Sequence, residues 1–399
     1  MMKYSLQDLE LKGQKILMRV DFNVPVDDDG SVRDDTRIRL ALPSIEYVIN
    51  QGGRLILISH FKRPKGKKDP KFSLKHIAEY LSKLLEKPVP LAPECTGPEV
   101  EKMVEKMQDG DVLLLENIRF YPAEEHPEKD PEFEKNLAKL GDAYVNDAFG
   151  AAHRKHTSTA LLANHFPEKN ALGFLMEKEV SFFSKLIRNP KRPFYAIIGG
   201  AKVGTKIGVL QALTDTIDAI FIGGGMAFTF MKAQGLSIGD SLCEDEHLET
   251  AQNFLKKCAE KAIQVYFPSD YIIASEFSNN APRKVAIAKD GIPPGWRGMD
   301  IGPDTIDHWK KVLQQGSTIF WNGPMGVFEF SHFAEGTHSL AVMLADLGST
   351  VVVGGGDSVA AINAMGLQKS FTHVSSGGGA ALEFIEFGHL PGLDALSDR

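Results

Sequence analysis

The chain has 399 residues, of which 43% are hydrophobic and 24% are charged, and its net charge at pH 7 is −7. This composition favours none of the fibrous, disordered or membrane classes, and the acidic balance argues against a general nucleic-acid binder. The three cysteines, Cys95, Cys243 and Cys258, are too scattered for a disulfide framework or a four-ligand zinc site. No apolar run could span a bilayer, and there is no apolar leader. We therefore expect a cytoplasmic protein of two domains, without a membrane or nucleic-acid partner.

The first half of the chain alternates short aliphatic runs with helical patterns, which is typical of βα units and a parallel sheet. The predicted strands are ILMRV (16–20), RLILIS (54–59), DVLLLE (111–116) and AYVND (143–147). The segment 73–87 has apolar residues at helical spacing, and Ser73 precedes them as a candidate N-cap. It predicts a crossover helix.

A second helical pattern separates the two halves. Met176, Val180, Phe183 and Ile187 recur at helical spacing before Pro190 ends the pattern. We interpret residues 173–190 as an interdomain helix.

The second half has four predicted strands, and glycines follow three of them. The strands are 194–198, 218–222, 317–321 and 349–353, and the glycines are Gly199-Gly200, Gly223 to Gly225 and Gly354 to Gly356. A further triple spans residues 377–379. Ligands bind at the carboxyl ends of parallel strands, and glycine lets backbone N–H groups approach a phosphate closely. Four such loops predict a phosphate site.

The loop IIGGAKVGTK (197–206) resembles a Walker loop, except that Thr205 and Lys206 stand in reversed order. If a helix begins here, Lys202 and Lys206 lie on one face near its positive end. A helix dipole disfavours cations there unless an anionic ligand is bound. The loop therefore predicts a phosphate site of another kind, formed by glycine backbone and two lysines.

Asp357 follows the triple glycine of VVVGGGDSVA and has two possible roles. Its carboxylate suits Mg²⁺, which takes one or two carboxylates together with water and phosphate oxygens. It could equally be the N-cap of the next helix, with Ser358 as an alternative cap.

Basic and polar residues follow the strands of the first half, where we expect them to meet at one edge of the sheet. Guanidinium groups bind carboxylate and phosphate in a bidentate manner, so four arginines together predict a site for a small, doubly anionic ligand. Taken singly, each arginine could be a surface charge, the histidine could be structural, and the aspartate could close a turn. The residues are Asp21, Asn23, Arg37, His60, Arg63, Arg119 and Arg154.

Two other functions fit the strand and helix pattern less well. A nicotinamide-dependent dehydrogenase would carry G-x-G-x-x-G after a strand with an acid about 20 residues further on, and this pattern is missing. A non-catalytic anion-binding protein would have no use for the lysine pair or for Asp357.

Nine segments, in chain order, resemble the signatures of the phosphoglycerate kinase family: RVDFNVP, SHFKRP, ENIRF, AHR, GGAKV, GGGMAFTF, WNGPMGVFE, GGGDS and GGGA. The resemblance implies an α/β fold with two Rossmann-like parallel-sheet lobes, each a three-layer αβα arrangement, joined by an interdomain helix. Residues 1–172 would form a phosphoglycerate-binding lobe that is completed by about 381–399. The helix would span 173–190, and 191–380 would form the nucleotide-binding lobe.

The resemblance also implies an activity, a metal and an oligomeric state. The family transfers a phosphoryl group reversibly between 1,3-bisphosphoglycerate and ADP, giving 3-phosphoglycerate and ATP, in glycolysis and gluconeogenesis. Transfer would be in line after the lobes close. The nucleotide would carry Mg²⁺, and the protein would be a monomer.

Site residues carried over by the resemblance fall into three groups. The seven first-half residues named above would hold phosphoglycerate, and Asp357 would hold the metal. The transferring phosphoryl group would be surrounded by Arg37, Lys202, Gly355 and Gly378. The nucleotide would be bound by Lys202, Lys206, Gly223, Gly224, Asn322, Glu329, Gly355, Gly356, Asp357 and Ser358.

Overall fold

A computed structural model of the chain describes residues 3–27 and 29–399, which divide into two compact units. Unit 1 runs to Ser181 and includes His389–Arg399, and unit 2 is Phe182–Gly388. The division falls inside the helix Phe174–Arg188, so residues of the predicted interdomain helix belong to both units. The segment that returns to unit 1 begins at His389 rather than at about 381.

Unit 1 contains a five-stranded parallel sheet in the order β3-β2-β1-β4-β5. The strands are β1 (Lys15–Arg19), β2 (Arg54–Ile58), β3 (Val112–Leu114), β4 (Ala143–Asn146) and β5 (Asn170–Leu172). The helices up to the division are α1 (Thr36–Asn50), α2 (Lys75–Leu84), α3 (Pro98–Glu105), α4 (Pro122–Glu125), α5 (Pro131–Ala138) and α6 (Phe174–Arg188).

The core of unit 1 explains why its strands are continuous apolar runs. Ile16 and Met18 of β1 pack with Ile45 of α1 and Ile77 of α2 in one buried cluster. Leu17, which points to the opposite face, is also fully buried. A parallel sheet covered on both faces needs apolar residues at successive positions rather than at alternate ones.

Unit 2 contains a six-stranded parallel sheet in the order β14-β13-β12-β6-β7-β8 and a three-stranded antiparallel sheet in the order β10-β9-β11. The strands are β6 (Phe194–Ile198), β7 (Ala219–Ile222), β8 (Gln264–Tyr266), β9 (Asp270–Ala274), β10 (Arg283–Ile287), β11 (Arg297–Ile301), β12 (Thr318–Asn322), β13 (Thr350–Gly354) and β14 (His373–Val374). The helices of unit 2 after α6 are α7 (Ile207–Leu213), α8 (Met226–Ala233), α9 (Leu248–Glu260), α10 (Pro303–Leu313), α11 (Glu335–Ala345), α12 (Gly356–Ala364) and α13 (Gly379–Phe387). The last helix, α14 (Pro391–Asp394), lies in the segment that belongs to unit 1.

The α/β fold with two parallel sheets is confirmed, with two corrections to local structure. The sequence did not predict the antiparallel sheet of unit 2. The crossover helix predicted over 73–87 begins at Lys75 and ends at Leu84, and Leu74 is its N-cap residue. The Ser73 hydroxyl still accepts a hydrogen bond from the Lys75 backbone N–H at 3.2 Å. None of the described helices is long and apolar enough to cross a membrane.

The returning segment is held to unit 1 by hydrogen bonds. The backbone N–H of Gly392 donates to the Ala152 carbonyl at 2.8 Å, and the Asn146 amide donates to the Gly392 carbonyl at 3.2 Å. The Ser397 N–H donates to the Asn170 side chain at 2.6 Å. Asn146 and Asn170 are buried, so these bonds satisfy polar groups inside unit 1.

Candidate functional site

Unit 1 contains a basic cluster centred on His60, which lies just beyond β2 and is buried. Burial holds the pKa of His60 well below its ordinary value, and the nearby guanidinium groups lower it further. The imidazole is therefore neutral at pH 7, and the positive charge of the cluster comes from the arginines. The arginines that act on it are Arg19, Arg37, Arg119 and Arg154.

Arg37 is held at the start of α1 by two acceptors. Its guanidinium donates to the Asp21 carboxylate and to the Asn23 carbonyl, both at 3.1 Å. The Asp21 carboxylate also accepts from the Asn23 N–H at 3.1 Å and lies 3.8 Å from His60 Nδ1. The Asn23 side chain accepts from the Lys62 N–H at 2.9 Å. Asp21 and Asn23 thus orient Arg37 and shape the adjacent loop.

Arg119 is buried, and its position is set by Asn117. The Asn117 side-chain oxygen accepts from the Phe61 N–H at 3.0 Å and from the Arg119 N–H at 3.1 Å. The Arg119 guanidinium donates to the Lys62 carbonyl at 2.8 Å, and its Nε lies 3.2 Å from Glu125 without the geometry of a hydrogen bond. Burial lowers the pKa of Arg119. A buried guanidinium with an unused donor is suited to an anionic ligand.

The remaining two predicted arginines differ. Arg154 is half-buried, and its Nε lies 3.2 Å from His153 Nε2. Arg63 is exposed, and no side-chain hydrogen bond or ion pair holds it within residues 3–27 and 29–399. Arg37, Arg119 and Arg154 are thus near enough to His60 to lower its pKa, whereas Arg63 differs from them in being an exposed side chain that no contact holds among the described residues.

Arg19 and Glu124 belong to the cluster and were missed from the sequence. The Arg19 guanidinium lies 3.0 Å from His60 Nδ1 and donates to the Ser158 hydroxyl at 2.8 Å. Glu124 accepts from the Ser158 hydroxyl at 2.7 Å, and burial raises the pKa of this carboxyl. The available signal was the one charged residue in the apolar run ILMRV, since an arginine in a buried strand needs partners.

In unit 2 the glycine loops after the parallel strands approach each other through their main chains. A Cβ on Gly199 would lie 2.2 Å from the Pro324 carbonyl oxygen, so no larger residue fits. Gly224 has a φ of +67°, and a Cβ there would lie 2.5 Å from the Gly200 backbone nitrogen. A Cβ on Gly223 would lie 2.5 Å from the Met325 sulfur. Glycine is required here for close approach.

The half-buried Lys206 and the buried Asn322 form a polar pair beside these loops. The Lys206 ammonium contacts the Asn322 side-chain oxygen, and burial lowers the pKa of Lys206 to about 8. The Asn322 amide nitrogen is buried without a partner. Gly355 has a φ of +92°, and a Cβ at this position would lie only 2.6 Å from that nitrogen. A buried ammonium beside an unused amide donor favours an anion.

The helix expected around Lys202 is not present. Helix α7 begins at Ile207, so Lys202 and Lys206 lie in the preceding turn and not on one helix face. Lys202 is exposed, and its carbonyl accepts from the Thr205 hydroxyl at 3.0 Å. This turn leaves the Lys202 ammonium free to extend, because no hydrogen bond or ion pair holds it in the part of the chain described.

The start of α12 resolves the alternatives for Asp357 and Ser358. The N-cap residue is Gly355, so neither side chain caps the helix. The Asp357 carboxylate is exposed in the first turn and has no hydrogen-bond or ion-pair partner among the described residues. The buried Ser358 hydroxyl accepts from the Gly323 N–H at 2.6 Å. Gly378 has a φ of +50° and open space around it at the start of α13.

A cavity of about 440 Å³ opens beside these loops. Gly224, Glu329 and Asp357 line it, together with apolar residues that the sequence analysis did not single out. Met299 belongs to β11 and Phe228 to α8, so the antiparallel sheet supplies part of this wall. The volume suits a small-molecule ligand. The apolar lining residues include Phe228, Leu242, Met299 and Val327.

Comparison with known proteins identifies the family. The phosphoglycerate kinase family model matches residues 6–387. A phosphoglycerate kinase from Chlorobaculum tepidum is 50% identical over 401 residues, covering 100% of both chains. The cytosolic phosphoglycerate kinase 3 of Arabidopsis thaliana is 49% identical, covering 99% of this chain and 98% of its own. The chain belongs to the phosphoglycerate kinase family.

Solved structures agree with this assignment. Phosphoglycerate kinase from Coxiella burnetii has a TM-score of 0.88 at 40% identity, covering 98% of each chain. Phosphoglycerate kinase from Pyrococcus horikoshii has a TM-score of 0.84 at 30% identity, with the same coverage. The chain is thus a phosphotransferase with a carboxyl group as acceptor. It transfers a phosphoryl group reversibly between 1,3-bisphosphoglycerate and ADP in glycolysis and gluconeogenesis.

Proposed function

We propose that the basic cluster of unit 1 binds phosphoglycerate and that the glycine loops of unit 2 bind the nucleotide. The observation that carries this proposal is the placement of four guanidinium groups around a neutral, buried His60. Arginine forks pair with both the carboxylate and the phosphate of such a ligand. The residues that hold it are Asp21, Asn23, Arg37, His60, Arg63, Arg119 and Arg154.

The nucleotide phosphates lie against the loops after β6, β12 and β13 in this proposal. Lys206 and Asn322 support it, because an anion there would pair with the ammonium and the unused amide nitrogen. Gly223 and Gly224 form the wall for the base, and Glu329 binds the ribose. Gly356 and Ser358 border the phosphates.

Asp357 is the residue that would hold Mg²⁺. Its exposed, unpartnered carboxylate at the cavity fits this ion, which takes few protein ligands and completes its shell with water and phosphate oxygens. Bound there, Mg²⁺ would neutralise negative charge on the nucleotide phosphates.

The transfer step needs positioning and charge stabilisation more than covalent help from the protein. Arg37 and Lys202 neutralise charge on the moving phosphoryl group, and the main chain at Gly355 and Gly378 borders it. The acceptor is a carboxylate that is already ionised at pH 7, so no general base is needed. Transfer is in line, after closure of the two units brings the substrates together and excludes water.

We also propose that the protein works as a monomer in the cytoplasm. The cytoplasmic location is supported by the Arabidopsis thaliana relative, which is described as cytosolic. The monomeric state rests on the family resemblance.

The substitution Arg119→Met tests the phosphoglycerate site. Loss of charged hydrogen bonds should raise the KM for 3-phosphoglycerate about tenfold or more and leave the KM for ATP within about twofold. Arg54→Met is the matched control. Arg54 is the first residue of β2, and its guanidinium pairs with Asp109 at 3.0 Å and not with a residue of the cluster. An unchanged KM for 3-phosphoglycerate in Arg119→Met would contradict the assignment of the cluster.

Arg63 needs its own test because it is exposed and no hydrogen bond or ion pair holds its side chain among the described residues. If Arg63 moves to the ligand, Arg63→Ala raises the KM for 3-phosphoglycerate about tenfold. A KM equal to that of the parent removes Arg63 from the site and leaves the other arginines in place.

A further inference from the structure

Arg297 is a cation without a partner in the wall of the nucleotide cavity. It begins β11 and lines the cavity. Its Nε is buried and has no hydrogen-bond partner, and no carboxylate lies within ion-pair distance of the guanidinium in residues 3–27 and 29–399. A half-buried guanidinium that is left unpaired is unfavourable. It is therefore free to bind a ligand group that accepts hydrogen bonds.

The residues that follow Arg297 in sequence, together with other residues of the cavity lining, give this wall a largely apolar surface. Gly298 lies so close to Phe228 that a Cβ would be 2.0 Å from the ring, and Met299 follows in the same wall. Leu242 lines the cavity as well. In a nucleotide, the purine base is the part that needs such flat apolar surroundings. Arg297 therefore lies where the base would bind.

Two carboxylates that line the cavity already accept hydrogen bonds from the main chain, whereas two buried donors in its lining have no partner. The Asp300 carboxylate accepts from the Ile301 N–H at 2.9 Å and from the Gly336 N–H at 2.8 Å. Asp240 accepts from the Gly295 N–H at 3.2 Å. The buried hydroxyl of Tyr271, which also lines the cavity, has no partner.

We propose that Arg297 is a base-specificity residue that raises the efficiency of 6-oxopurine nucleotides such as GDP relative to ADP at this site. A guanidinium only donates hydrogen bonds, and it pairs in a bidentate manner with O6 and N7 of guanine. Adenine presents an amino group in place of O6, which cannot accept from arginine. The inference rests on the proposed nucleotide site in unit 2 and extends it to the choice of base.

The test compares kcat/KM for GDP with kcat/KM for ADP in the full-length chain, before and after Arg297→Met. Methionine keeps an unbranched side chain and removes every donor. The ratio of the GDP value to the ADP value should fall about tenfold, as expected for loss of one bidentate base contact.

Arg283→Met is the matched control. Arg283 and Arg297 pair with the same residue, Ala274, from opposite sides of β9, so both occupy equivalent rows of the antiparallel sheet. Arg283 is exposed and does not line the cavity. The ratio should therefore stay within about twofold of the parent value. Far-ultraviolet circular dichroism checks that both variants fold.

A GDP to ADP ratio of kcat/KM in Arg297→Met that stays within twofold of the parent value overturns the inference. This includes the case in which kcat/KM falls equally for both nucleotides. The variant Lys206→Ala separates this outcome from failure of the nucleotide site itself. If Lys206→Ala raises the KM for ADP while the Arg297→Met ratio is unchanged, only the base-specificity inference fails. If Lys206→Ala also leaves the KM for ADP unchanged, the proposed site in unit 2 fails.

Discussion

The two units build their proposed anion sites in opposite ways. In unit 1 the proposed site consists of long cationic side chains, whose guanidinium groups donate hydrogen bonds to Asp21, Ser158 and the Lys62 carbonyl. In unit 2 most of the proposed contacts come from main chain, and close approach depends on the lack of side chains at Gly199 and Gly224. Substitutions in unit 1 should therefore act through charge, whereas those in unit 2 should act through volume and backbone conformation.

The largest expected effect is that of removing a charge from unit 1. Arg37→Ala should lower kcat on the order of 10³-fold, as loss of an arginine that stabilises the transferring phosphoryl group does in other kinases. Steady-state kinetics in both directions provide the measurement.

Arg39→Ala is the control for this substitution. Arg39 lies two residues further along α1, is more exposed, and pairs with Asp35 at 2.6 Å. Its loss should leave kcat almost unchanged. A kcat within tenfold of the parent in a folded Arg37→Ala variant would remove Arg37 from its role in transfer.

The next effect concerns the one carboxylate that we assign to the metal. Asp357→Asn should raise the Mg²⁺ concentration that gives half-maximal rate by roughly 10- to 100-fold. Asp304→Asn is a fair comparison, because Asp304 is also an exposed acid in the first turn of a helix of unit 2. Equal Mg²⁺ dependence in the two variants would exclude Asp357 as the ligand.

A pH titration distinguishes the two units directly. Because burial lowers the pKa of Lys206 from 10.5 to about 8, its ammonium loses charge as the pH rises through about 8. The KM for the nucleotide should then rise about tenfold between pH about 7 and pH about 9.5. The arginines of unit 1 stay charged and His60 stays neutral, so the KM for 3-phosphoglycerate should remain flat.

The same shift predicts the direction of the stability change. The folded pKa of Lys206 lies below the unfolded value, so the partly buried charge destabilises the fold below pH about 8. This destabilisation disappears as the pH rises from about 8 to 10.5.

Lys206→Arg is the control for the change in nucleotide KM, because it keeps the charge at every pH tested. A rise in the nucleotide KM that persists in Lys206→Arg would show that another group is responsible.

The smallest effect compares two adjacent glycines. Gly355→Ala places a methyl group 2.6 Å from the Asn322 amide at a φ of +92°, and it should lower the free energy of unfolding by about 1 kcal/mol or more. A Cβ on Gly356 meets no atom within 4 Å, so Gly356→Ala should change it by less than about 0.5 kcal/mol. Urea unfolding measures both. Equal values would show that the loop adjusts freely around residue 355.

The fold could be predicted from the sequence wherever the strands are buried on both faces. Such strands are continuous apolar runs, and β1, β2, β6 and β13 were predicted to within about two residues. The antiparallel sheet was missed because its strand β10 (RKVAI) is mostly exposed. Val285 and Ile287 do not face a core, so the segment has neither the continuous apolar run of a buried strand nor a clear alternation of apolar and polar residues.

The site was predictable where a residue follows a strand, because parallel strands deliver their carboxyl ends to one edge. This rule selects Arg119, the glycine loops and Asp357 as candidates, and their roles stay predictions. Arg19 is the last residue of β1, and its position depends on a partner, Ser158, that is distant in sequence. The wall of the nucleotide cavity was missed for the same reason as the sheet that forms it.

The bonds from Gly392 and Ser397 to unit 1 also constrain the order of events during protein synthesis. The ribosome makes residues 182–388, the whole of unit 2, before it reaches the segment that satisfies Asn146 and Asn170. Until the second unit has been translated, the nascent first unit lacks the hydrogen bonds that this segment makes to Asn146 and Asn170. The two side chains keep only their bonds within unit 1, to Thr159 and to Ala163 and Phe166. Folding from the N-terminus onward, the usual order for multidomain chains, cannot be completed here.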